Sequence, residues 1–264
     1  MAVTGSAAGL HFSRTRVRAG TVRFTISTTN PVGSSVTLFR LRRGVTLTRL
    51  AADFTNEFSE NAAVRARATR NLDRDAEFYG LAEVRPDSPA TVTVRLRKGT
   101  YYAAELVPGF KPDSSSVTTF RVVGHQHHGH HGKGHRGDGS RLPRAGATIT
   151  MVNDRFVVSG RLRAKSAVRV RNHDDTIHIA IIAPVKAGTT DAQVQAYFDS
   201  GSQEAPTFER EGPGVTVNLL SQGREVVLGH NLPRGTYVLL CYVADEDDGM
   251  FHVEMGMHKV VTLT

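Results

Sequence analysis

Apolar and polar residues alternate with a period of two along much of this chain. Val22-Arg23-Phe24-Thr25-Ile26, Val92-Thr93-Val94-Arg95-Leu96-Arg97 and Val168-Arg169-Val170-Arg171 are clear cases. In an extended backbone successive side chains point to opposite faces, so each run reads as a strand with one buried and one wet face. The runs are short, rich in Val, Thr, Ile and Tyr, and separated by Gly, Pro and Asp. That pattern predicts antiparallel β-sandwiches rather than a parallel α/β fold. The period changes in Gly44 to Phe54 (GVTLTRLAADF) and Gly188 to Phe198 (GTTDAQVQAYF). Leu50 and Phe54, like Val194 and Phe198, stand four apart on one helical face, so each segment predicts a short helix. The fold class expected is all-β.

The chain also repeats itself. Leu96-Arg97-Lys98-Gly99-Thr100-Tyr101 returns as Leu232-Pro233-Arg234-Gly235-Thr236-Tyr237, and the two helical segments and the early strands match in the same order. The expectation is two tandem sandwiches, 1–123 and 145–264, each with one short helix and close to ordinary domain size. A linker, 124–144, joins them. Its core, Gly124 to Gly139 (GHQHHGHHGKGHRGDG), holds His125, His127, His128, His130, His131 and His135 and almost nothing that packs. Such a tract binds Cu²⁺, Ni²⁺ or Zn²⁺ weakly through shifting sets of imidazoles, or serves as a flexible spacer.

Charge sharpens the division. The net charge is +8; residues 1–123 carry 18 basic against 10 acidic residues, 124–144 carry 4 against 1, and 145–264 carry 11 against 14. The arginines of the first part alternate with apolar residues, as on the wet face of a strand, instead of gathering in a patch with aromatic readers. Nucleic acid is therefore not an expected partner, whereas an anionic surface polymer suits the basic first domain. No apolar run approaches the ~20 residues a membrane-spanning helix needs. Residues 1–20 lack the apolar stretch of a signal peptide, so either the protein stays inside or a leader precedes the chain.

The single cysteine, Cys241, ends the strand-like run Thr236 to Val243. Tyr237, Leu239 and Cys241 share one strand face, and His178 shares one with Ala180 and Ile182, so both emerge from the inner side of a sandwich. His252 and Met257 follow on one loop. Two imidazoles, a thiolate and a thioether form a soft donor set suited to a mononuclear copper ion. A buried thiol without metal is otherwise a small core hydrophobe. Met255 is the rival axial donor.

These segments resemble the cupredoxin (blue copper) family. Asn172-His173-Asp174-Asp175-Thr176-Ile177-His178 is similar to the segment that delivers the first histidine. Gly235 to Cys241 is similar to the strand that delivers the thiolate, and Gly249 to Met257 to the loop with the second histidine and axial methionine. The resemblance implies one type 1 copper held by His178, Cys241, His252 and Met257, and a protein that is secreted, at the cell surface or periplasmic. The Cys241–His252 loop is longer than in small electron carriers and carries Asp245-Glu246-Asp247-Asp248. The first copy has Glu105 in place of Cys241 and no histidine between Val22 and Val123, so it is expected to bind no metal. Leu240 and Tyr242 flank the thiolate, which leaves no second-metal motif for oxidase or nitrite reductase chemistry, and the protein is not expected to be an enzyme. The function expected is one-electron transfer or copper handling, with a redox partner or copper donor that the chain does not identify. The alternative is a metal-free structural or interaction protein that keeps the sandwich as scaffold.

Overall fold

The computed structural model describes residues 1–105, 117–124, 141–202 and 204–264. The six histidines of the linker lie outside the described residues.

The first half runs β1 (Ala2–Ser6), β2 (Gly9–Phe12), β3 (Arg16–Arg18), β4 (Gly20–Thr28), β5 (Ser34–Leu41), α1 (Leu47–Asn56), α2 (Ala62–Asp75), β6 (Ala76–Phe78), β7 (Ala82–Val84), β8 (Ala90–Leu96), β9 (Gly99–Glu105) and β10 (Val117–Val123). The second runs β11 (Ala147–Met151), β12 (Phe156–Gly160), β13 (Ala167–Asn172), β14 (His178–Pro184), α3 (Asp191–Asp199), β15 (Val215–Leu220), β16 (Glu225–Gly229), β17 (Gly235–Leu240) and β18 (His258–Leu263). The alternation of the sequence is the alternation of burial: Val22, Phe24 and Ile26 of β4 are buried while Arg23 and Thr25 are exposed.

Two layers result. One sheet has the order β12-β11-β13-β16-β8-β4-β1-β2, the other β18-β17-β14-β15-β7-β5-β9-β10-β3, with β6 beside β5. The strand order of the second half, β16-β13-β11-β12 over β15-β14-β17-β18, repeats that of the first, β8-β4-β1-β2 over β7-β5-β9-β10. Both are two-sheet β-sandwiches. They meet edge to edge: β16 pairs antiparallel with β8, and β15 with β7. Val92 lies opposite Leu228, which is separated from it by the same offset as Leu232 from Leu96, so a local two-fold axis passes between them. An exposed sheet edge invites pairing with another chain, and here each half covers the other's edge. Gly229 serves this approach, since a Cβ there would overlap the Thr91 hydroxyl. One apolar core runs from Val3 to Leu263 through both halves.

Two expectations change. The first half has two helices, not one: α2 follows α1 after a short turn, capped by the Asn61 side chain, which accepts from the Val64 amide. Its arginine-rich sequence, with mean hydropathy well on the polar side, hides the narrow buried stripe of Ala68, Thr69 and Leu72. The sandwiches are also not purely antiparallel, because β1 pairs parallel with β4 and β11 with β13. In each half a hairpin returns the chain to the sheet before the next strand is added. Among the described residues no helix is long and apolar enough to cross a membrane.

Candidate metal centre

β14 opens with His178 and buries every second residue, so the imidazole points inward with Ala180 and Ile182. The neighbouring strand β17 ends at Leu240, which delivers Cys241 to the same end of the sandwich. The loop behind it folds back on the strand. The His252 amide donates to the Val243 carbonyl (2.9 Å), Val253 to Cys241 (2.8 Å) and Met257 to His252 (2.8 Å). His252 is thereby held against Cys241 and His178, and all three side chains are fully buried.

Their donor atoms converge. Nδ1 of His178 lies 3.1 Å from Nδ1 of His252, and the Cys241 Sγ lies 3.6 Å and 3.7 Å from the two nitrogens. Donors bonded to one ion at about 2.0–2.3 Å and spread by about 120° stand roughly 3.5–3.7 Å apart. The two sulfur–nitrogen edges are of that size, and the nitrogen–nitrogen edge, at 3.1 Å, is shorter. Burial alone would push the Cys241 thiol up, but hydrogen bonding and charge from His178 and His252 outweigh it and bring the thiol down to about 6. Burial likewise disfavours charge on His178, yet Asp174 and the thiolate hold its pKa up, at about 10. The two shifts have one cause, since the Cys241 thiolate and the His178 imidazolium each favour the other's charged form.

A thiolate beside a histidine backed by a carboxylate is also the pattern of a nucleophile. Here the Cys241 side chain is fully buried.

Met257 is fully buried in the same core as Cys241, at the end of the ligand loop, while Met255 is 43% exposed.

Three carboxylates that the residue pattern did not single out as site residues face the far side of the imidazoles. Asp174 Oδ2 lies 3.3 Å from Nε2 of His178. Asp154 Oδ1 lies 3.9 Å from that atom and 3.7 Å from Nε2 of His252, and Asp245 Oδ2 lies 3.9 Å from the latter. The one visible signal for Asp154 was a turn: Asn153 and Asp154 both have φ of +50° between β11 and β12, a conformation Asn and Asp tolerate.

The first half closes over the ligand loop. Arg65 of α2 donates to the Gly249 carbonyl (2.8 Å) and lies 4.9 Å from the Phe251 ring centre, and Arg70 donates to the Glu246 carbonyl. A Cβ on Gly249 would collide with the Ala62 carbonyl at the start of α2. An open cleft of about 300 Å³ remains at this seam, lined by Arg70, Asp73, Arg74, Asp175, Thr176 and Glu246. Glu57, just after α1, is buried, and burial together with the nearby Cys241 thiolate pushes its carboxyl up to about 8.

A β-sandwich that presents one histidine at a strand start, a cysteine at the end of the next strand, and a second histidine with a buried methionine on the loop behind carries a donor set for copper. No family model matches the chain, and no curated protein matches it. Solved structures do. Auracyanin B is similar over 44% of this chain and 86% of its own, at 17% identity and a TM-score of 0.28. A reduced auracyanin from the photosynthetic bacterium Roseiflexus castenholzii is similar over 44% of this chain and 94% of its own, at 17% identity and a TM-score of 0.27. A multicopper oxidase is similar over 100% of this chain and 88% of its own, at 9% identity and a TM-score of 0.24.

Proposed function

We propose that this protein binds one copper ion through His178, Cys241 and His252, with Met257 as a weak axial donor, and uses it to pass single electrons. The observation that carries this reading is the buried triangle of two Nδ1 atoms and one thiolate sulfur with edges of 3.1, 3.6 and 3.7 Å. When bound, copper supplies a one-electron couple between Cu(II) and Cu(I). The protein's part is to keep the donors still. His178 is fixed on a strand, Cys241 at a strand end, and His252 by backbone hydrogen bonds on both sides of its loop, so little rearranges when the charge changes. Burial supports electron transfer over copper trafficking, because a donor set with no exposed atom exchanges its ion slowly. The same reading gives the protein no enzymatic role, an exported setting, a redox partner that docks near the loop end of the second half, and a basic first half suited to an anionic surface polymer.

Titration of the full chain with Cu(II) tests the proposal. An intense visible thiolate-to-copper band that saturates at one equivalent and disappears in Cys241→Ser is the expected result. Folded protein without such a band overturns it and leaves a scaffold whose Cys241 is a core residue.

A further inference from the structure

Both ligand imidazoles turn Nδ1 toward the thiolate, so their outward Nε2 atoms must be accommodated elsewhere. Those two atoms are buried and have no hydrogen-bond partner among the described residues. What faces them is anionic: Asp174 at 3.3 Å from His178, Asp154 at 3.9 Å and 3.7 Å from the two rings, and Asp245 at 3.9 Å from His252. Resting on the copper reading above, we propose that Asp154, Asp174 and Asp245 form a carboxylate collar that keeps both imidazoles donating through Nδ1 and biases bound copper toward Cu(II). They are positioning residues, since none lies among the donors themselves.

The collar comes from three separate segments, and the backbone fixes each part of it. Asp174 Oδ2 accepts from the Asp154 amide (2.8 Å), which ties the β11–β12 turn to the β13–β14 turn. The Asp174 amide in turn donates to the Asn172 side chain (2.8 Å). Asp245 Oδ1 accepts from the amides of Asp247 (2.8 Å) and Asp248 (3.0 Å), which leaves Oδ2 toward His252. A ring N–H on a copper-bound imidazole is more acidic and more positive than on a free one, and a carboxylate opposite it fixes the tautomer and raises the donor strength of the other nitrogen. Three negative charges beside the site also stabilise the higher of the two copper charges. On α2, Arg70 donates to the Glu246 carbonyl and Arg74 pairs with Asp75.

The test is the midpoint potential of the copper-loaded full chain, read from the visible band during a redox titration, in wild type and in Asp154→Asn, Asp174→Asn and Asp245→Asn. Asparagine keeps the volume and the backbone-accepting oxygen, and it tolerates the left-handed conformation at position 154. Each substitution is expected to lower the ratio of Cu(II) to Cu(I) affinity about tenfold, an upward shift of about 59 mV for a one-electron couple. The triple variant should move further than any single one, and Asp174→Glu should stay near wild type. Competition with a Cu(I) chelator should show Cu(I) affinity nearly unchanged. Intact bands with unmoved potentials in all three variants overturn the collar alone. A wild type that gives no band overturns the copper reading and the collar with it.

Discussion

The two halves have the same strand order and differ where chemistry sits. His178 pairs with Leu220, and Ser34 with Val84 at the matching place on β5 and β7. Leu240 pairs with Ile181 and His258, and Ala104 with Thr37 and Val117, so Glu105 follows its strand as Cys241 follows its own. Ser34 and Glu105 therefore occupy the positions of His178 and Cys241. The Ser34 hydroxyl bonds that of Thr28 (2.7 Å), and one oxygen of buried Glu105 has no hydrogen-bond partner among the described residues. At the turn matching Asn153-Asp154 the first half carries Ala7-Ala8. The sandwich evidently does not need the donor set: its stability resides in an apolar core common to both halves. The first half contributes instead a helix that the second lacks, and places it against the partner's ligand loop.

The effect that separates the halves most completely is loss of the thiolate, which should abolish the visible band outright. Copper at a thousandfold excess over its dissociation constant stabilises a folded site by about 4 kcal/mol. Cys241→Ser should lose that increment and the visible band together, as followed by thermal melts with and without Cu(II). The converse graft, Ser34→His with Glu105→Cys, should give no band. Its half has no histidine between Val22 and Val123 to complete the triangle.

A second effect comes from the seam. The Glu57 carboxyl has its pKa raised from 4.5 to about 8, by burial first and by the Cys241 thiolate second. Between those values the folded state keeps a proton that the unfolded chain releases. Its contribution is thus complete below pH 4.5 and lost as pH rises through 8, by at most about 5 kcal/mol. Urea denaturation of the metal-free protein should show stability falling from pH 5 to pH 8 and a flatter profile for Glu57→Gln. Equal slopes in both would mean that Glu57 ionises freely.

Next in size is the contact between α2 and the ligand loop. Arg65→Ala removes a hydrogen bond to Gly249 and a cation–π contact with Phe251, together about 1–2 kcal/mol. Copper release to a chelator should be faster in this variant, with the band unchanged, if the helix holds the loop closed. This contact marks the boundary of what the chain reveals by pattern. Period-two runs, the repeated Gly-Thr-Tyr strand and the grouping of His178, Cys241 and His252 were legible because local periodicity and side-chain chemistry need no knowledge of neighbours. α2 was not, because Arg65, Arg67, Arg70 and Arg74 outweigh its narrow apolar stripe. Asp154 and Asp174 were not, because their role is fixed by what stands opposite them in space. Nor did alternation reveal that Val92 would lie opposite Leu228, since an edge strand and a paired one share the same pattern.

The smallest effect is the most pointed about the first half. If Glu105 sits at a ligand position without a function, its unpartnered oxygen is a liability rather than an asset. Replacing a buried polar group that lacks a full set of partners by an apolar one of similar volume is close to neutral or stabilising. Glu105→Leu should therefore change stability by no more than about 1 kcal/mol, in the stabilising direction, and leave copper binding at Cys241 untouched. A loss of several kcal/mol by urea denaturation would mean that Glu105 anchors something in the first half, and that the two matching positions diverged toward different tasks rather than one simply falling silent.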